Sequence, residues 1–156
     1  MAITRISSRM CDTSVGLIAV PWTSVSDLTT AVRIVEKISS PAAGILVDAL
    51  HFDRSAASFE DLLGIPFHRL HYWQMCDAPA ERPMTTQALI HAAREERMFP
   101  GEGGLDLIGL TRNMPSEITV SIEVPTAELG KTLDAEKRAR RALQGATAIV
   151  AAASAA

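Results

Sequence analysis

The stretch Gly44-Ile45-Leu46-Val47-Asp48-Ala49-Leu50-His51 decides the fold class. Its apolar core lacks the polar alternation of a strand with one wet face, and an acid ends the run. A short continuous apolar run reads as a buried strand of the kind a parallel sheet requires. The unit recurs on either side. Upstream, Gly16-Leu17-Ile18-Ala19-Val20 is closed by Pro21. Ser24 or Ser26 then caps a helix in which Leu28, Ala31, Val32, Val35 and Ile38 recur at helical spacing until Ser39-Ser40-Pro41. Downstream, His51–Ser58 reads as a loop, Phe59–Leu63 as a short helix stopped by Gly64, and His71–Cys76 as a third strand ending at Asp77. A loop rich in Pro and charge, Ala78–Met84, precedes a helix over Thr85–Arg97. Phe99-Pro100-Gly101-Glu102-Gly103-Gly104 reads as turn, Leu105–Met114 as helix, and Ile118–Val124 as the fourth strand, ended by Pro125. Asp134 caps a last helix through Ala139, Leu143 and the Ala-rich tail. Strand and helix alternate throughout, which predicts an α/β fold with a parallel sheet covered on both faces. Periodicity leaves open whether that sheet is open or part of a barrel.

Composition agrees with one globular domain. The 156 residues are 47% hydrophobic and 21% charged, enough to bury a core without disulfides or structural metal. Only 9 Gly and 8 Pro exclude low-complexity classes. A net charge of −3 argues against a nucleic-acid surface, which needs clustered Lys and Arg. No run approaches the roughly 20 apolar residues of a membrane span. Arg5 and Arg9 are followed by no apolar segment before Asp12 that would make a secretion signal. Cys11 and Cys76 are too few for a disulfide framework, so the expected compartment is a reducing cytoplasm. Residues 1–14 show no sustained periodicity and are expected to form a loosely attached segment ahead of the domain at 15–156.

The polar residues sit at strand ends. Asp48, Gln74 with Asp77, and Glu123 each fall within or just after an apolar strand, where chemistry collects in parallel α/β folds. With His51 they make an oxygen-rich set suited to a divalent ion such as Mg²⁺, Mn²⁺ or Zn²⁺. Glu123 interrupts an apolar run, and a desolvated carboxylate is costly unless a cation or donor meets it. Two readings follow: a metal ligand, or a Glu paired with an Arg from a neighbouring strand. Cys76 reads as a buried core thiol. The runs Glu95-Glu96-Arg97 and Lys137-Arg138-Ala139-Arg140-Arg141 read as solvated helix faces. The Gly-rich turn follows a helix and lacks the P-loop Lys, so it is no phosphate fingerprint.

Taken together, Pro21-Trp22-Thr23, Gly44–Ser55 with its Val-Asp-x-x-His core, Gln74-Met75-Cys76-Asp77-Ala78, Phe99–Gly103 and Ser121-Ile122-Glu123-Val124-Pro125 resemble the sugar phosphate isomerase/epimerase family of xylose isomerase-like TIM barrels. The resemblance covers roughly 16–145 and implies a partial (β/α)8 barrel, with four βα units corresponding to strands five to eight, the C-terminal half. It implies a divalent metal (Mn²⁺, Mg²⁺, Co²⁺ or Zn²⁺) held by Asp48, Gln74 and Glu123. It also implies a sugar or hydroxy-ketone substrate contacted by His51 and Arg54, with Glu123 moving a proton through an enediolate. Two departures stand out. The fifth-strand Glu falls at Ile18, which can neither bind metal nor move a proton. A full barrel needs on the order of 200 residues or more. The chain is therefore expected to be an impaired isomerase, or an inactive half-barrel with a scaffold role. Its exposed edges predict self-association or a complementary N-terminal half. A repair-endonuclease reading would need more than the 4 His present and a basic groove.

Overall fold

Parallel neighbours cannot be joined by a tight turn, so each strand must be followed by a crossover, and crossovers are almost always right-handed. The chain meets this with β1 (Val15–Ile18), α1 (Leu28–Glu36), β2 (Ala43–Asp48), α2 (Ala49–Arg54), α3 (Phe59–Leu63), β3 (Leu70–Met75), α4 (Thr86–Glu95), α5 (Leu107–Asn113), β4 (Thr119–Ile122) and α6 (Ala135–Ser154). The computed structural model describes residues 15–125 and 127–155, so the expected loose segment 1–14 lies outside the described residues.

The sheet order is β1-β2-β3-β4, every pair parallel. Strand order following chain order sends successive right-handed crossovers to the same face, as in a barrel wall; a doubly wound sheet reverses direction instead. Strand order thus settles what periodicity left open. Ile45, Val47, Trp73 and Met75 join Ala31, Val35, Leu62, Leu107, Leu110 and Ala146 in one core between sheet and helices. The alternate residues Gly16, Ile18, Tyr72, Gln74 and Ser121 stay partly accessible on the other face. The expectation of a sheet covered on both faces is met by β2 alone, whose residues are all buried.

Local detail follows from side chains. Gly44 is required because a Cβ there would overlap the His71 ring, which packs where the β2–β3 register shifts between Ile45 and Leu46. The expected loop at His51–Ser58 is a correction: α2 begins directly after Asp48, whose Oδ1 accepts from the His51 N–H at 3.0 Å as an N-cap. Ala49 and Leu50 bury the helix's apolar side. Ser58 and Asp61 form a reciprocal capping box for α3. The helix expected over Thr85–Arg97 ends at Glu95, because Met98 exchanges backbone hydrogen bonds with Asp77 (2.8 and 2.9 Å) and draws the chain back to the strand end.

Candidate functional site

At the C-terminal edge of the sheet, Asp48 lies opposite Gln74 across β2–β3, and Gln74 lies opposite Ser121 across β3–β4. Glu123 follows two residues on and continues the ladder by donating its N–H to the Met75 carbonyl at 3.2 Å. Ile18 lies level with Leu46, two residues below Asp48. The sheet thus gathers Asp48, Gln74 and Glu123 at one edge, with a hydrocarbon on β1.

Arg97 is the residue that sequence reasoning missed. Expected on a solvated helix face, it is 5% exposed and sits at the centre of the edge. Its Nη1 lies 2.5 Å from Asp48 Oδ2 and 3.3 Å from Glu123 Oε2. Nη1 also donates to Cys76 Sγ at 3.3 Å, and Nε donates to the Ala93 carbonyl at 2.9 Å. The Asp77–Met98 pairing turns the chain inward one residue after Arg97 and so aims it here. One signal was available: two strand-end carboxylates without a neighbouring cation in the sequence demand one from elsewhere. Burial alone would lower the Arg97 pKa, but Asp48, Cys76 and Glu123 outweigh it and raise the value, so the guanidinium stays charged.

Glu123 corrects a second expectation. Its side chain is 48% exposed, because β4 ends at Ile122 and is paired only to β3 among the described residues. It does meet an Arg, though from the segment after α4 and not from a neighbouring strand.

His51 is buried under Trp22, whose ring meets the imidazole edge-on at 5.3 Å. Its Nε2 lies 3.5 Å from Arg97 Nη2, while its buried Nδ1 has no hydrogen-bond partner among the described residues. Desolvation lowers the His51 pKa, with Asp48 opposing and Arg97 adding to the shift. The ring is neutral near pH 7, and Nε2 facing a permanent donor leaves the proton on Nδ1.

Arg54 lies away from this cluster. It is 1% exposed, with Nη1 on Asp53 at 2.5 Å and Nη2 donating to the Pro79 carbonyl at 2.6 Å, so it ties α2 to the loop after β3. Asp77 is an organiser as well. Its Oδ1 accepts from Ala78 and Leu105 (2.9 and 3.1 Å), its Oδ2 from Gly101 and Gly103 (3.0 and 2.9 Å), pinning the Gly-rich turn. Cys76 is buried, and desolvation pushes its thiol up to about 12, as a core thiol should behave.

Known structures share this fold. The chain is similar to a structure of the IolI protein with a bound zinc atom, at TM-score 0.75 and 22% identity over 88% of this chain and 49% of that one. It is also similar to a xylose isomerase domain protein from Alicyclobacillus acidocaldarius subsp. acidocaldarius, at TM-score 0.69 and 22% identity over 90% and 52% of the two chains. The fold is that of a partial TIM barrel. A xylose isomerase-like TIM barrel/4-hydroxyphenylpyruvate dioxygenase fusion protein matches at TM-score 0.66 and 23% identity, over 85% of this chain and 21% of that one. The half-barrel spans about half the length of the first and second of these structures. No family model matches the sequence, and no curated protein does. No helix among the described residues is long and apolar enough to cross a membrane.

The residues present do not fit a divalent metal. Among the described residues no group of three or more His, Cys, Asp and Glu side chains converges to hold one. Asp48 has one oxygen on the His51 N–H and the other on Arg97, and position 18 offers no donor.

Proposed function

We propose that the strand-end cluster is a sugar- or hydroxy-ketone-binding site of the isomerase/epimerase type, with Glu123 as its proton-transfer base, and that the chain alone turns substrate over slowly or not at all. The observation that carries this reading is a half-exposed carboxylate held beside a fixed cation at the carboxyl edge of a parallel half-barrel. A base in that position is reachable by ligand and water, and proton transfer by a positioned side chain contributes about 10²–10⁴-fold. Here Ile18 leaves the second face of the substrate without a proton carrier. Gln74, partly accessible at the strand end, and His51 beside it are the residues proposed to face the substrate's hydroxyl or carbonyl oxygens.

The test is proton exchange of ketoses in D₂O, followed by NMR with wild type and Glu123→Gln. The expected result is ligand-induced shifts with slow exchange that the variant abolishes. Absence of any sugar binding, or exchange indifferent to Glu123→Gln, would sink the proposal.

The open edges favour a second, compatible reading. β1 and β4 are each paired on one side only among the described residues, and an unpaired strand edge invites another chain. The half-barrel is accordingly proposed to self-associate or to pair with a complementary half. A monodisperse monomer in light scattering, with a cooperative melt, would refute this.

A further inference from the structure

The cation facing the strand-end carboxylates belongs to the chain itself. Arg97 is held from several directions: by Asp48, by Glu123, by the Ala93 carbonyl and by the Cys76 sulfur. Its backbone is fixed as firmly, since the next residue, Met98, is bridged in both directions to Asp77. We infer that the Arg97 guanidinium takes the position a divalent ion would need at this edge, so that the site carries a permanent internal cation and excludes metal.

Three arguments support this. A divalent ion bound to Asp48 Oδ2 would sit about 2.0–2.2 Å from that oxygen. Nη1 is already 2.5 Å from the same oxygen, so ion and guanidinium compete for one place. Neither oxygen of Asp48 is free, because Oδ1 caps α2; a bidentate ligand would cost the helix its N-cap. Finally, Arg97 has nowhere cheap to go: leaving would strand Asp48, which is 2% exposed, and break the bond to Ala93. A guanidinium neutralises the carboxylates and offers donors, but it has no open coordination position. The inference does not depend on sugar binding, since it concerns only which cation occupies the cluster.

The experiment is a Mn²⁺ titration of the chelator-treated full chain, read by the EPR signal of free Mn²⁺ and by thermal melts with and without the ion. Wild type should leave the signal unchanged and melt at the same temperature in both. Arg97→Met should bind Mn²⁺ at least about tenfold more tightly than wild type, a gain of about 1.4 kcal/mol. Arg97→Met/Asp48→Asn should lose that gain. Two results would overturn the inference: Mn²⁺ binding by wild type that raises its melting temperature and vanishes in Asp48→Asn, or Arg97→Met binding no tighter than wild type. Should Arg97→Met fail to fold, the wild-type and Asp48→Asn titrations still decide it.

Discussion

Asp77→Ala tests how the site edge is built. The wild-type carboxylate accepts four backbone N–H groups, from Ala78, Leu105, Gly101 and Gly103. Gly101 and Gly103 are exposed, so water can replace their partner; Ala78 and Leu105 are buried, so it cannot. A buried donor left unsatisfied costs about 1–3 kcal/mol, and bonds to a charged acceptor lie toward the upper end. Two such donors predict a loss of about 3–5 kcal/mol. That is a large share of the roughly 5–15 kcal/mol that holds a domain folded. Asp77→Asn should recover little, because its NH₂ would point a donor at donors. The assay is urea denaturation followed by far-UV circular dichroism. A loss below about 1 kcal/mol for Asp77→Ala would refute the reasoning, since it would mean the turn keeps its shape without its acceptor.

Other predictions follow from the same geometry. Burial holds the His51 pKa below 6.5, and His71 shifts the same way through desolvation and Arg69, so the unfolded chain binds protons that the native one refuses. Stability is then full above about pH 6.5 and falls as pH drops, by at most about 1.4 kcal/mol per pH unit for buried His51 and by less for His71, whose charge water screens. His51→Gln should make that decline shallower in urea midpoints, and an unchanged profile would count against the burial argument. Gly145→Ala places a Cβ against the Pro100 carbonyl and should destabilise by about 1–3 kcal/mol. A variant that melts at or above the wild-type temperature, as the roughly 1 kcal/mol helix-propensity gain of Ala alone would give, would refute that contact. In a Cys11→Ala background, Cys76 should resist thiol reagents at pH 8 until denaturant is added, since its thiol is pushed up to about 12; prompt labelling of the native chain would refute this.

The strands were legible because burial writes itself into composition. Ile45 and Val47 are apolar for the helix-packed face and Leu46 for the other, so the run carries no alternation. Helix α2 was not legible, because its polar residues fit a loop, and its cap Asp48 is recognisable only once the backbone has turned. Asp48, Gln74 and Glu123 were found by their place at strand ends, a consequence of sheet polarity that any parallel fold shares. Arg54, read as a substrate contact, is buried against Asp53 and Pro79 instead, because the loop after β3 folds back over α2 and presents a carbonyl to it, a contact across 25 positions of chain.

From the sequence alone come the α/β alternation, the strand ends that carry the acids, and the apolar Ile18 on the first strand, because each is a property of a contiguous segment. Only the tertiary structure decided that the strands order as a barrel wall. Only it brought Arg97 to Asp48 across 49 positions of chain. That contact depends on a bridge between Asp77 and Met98, and a salt bridge assembled by chain reversal leaves no periodic trace in the residues that make it.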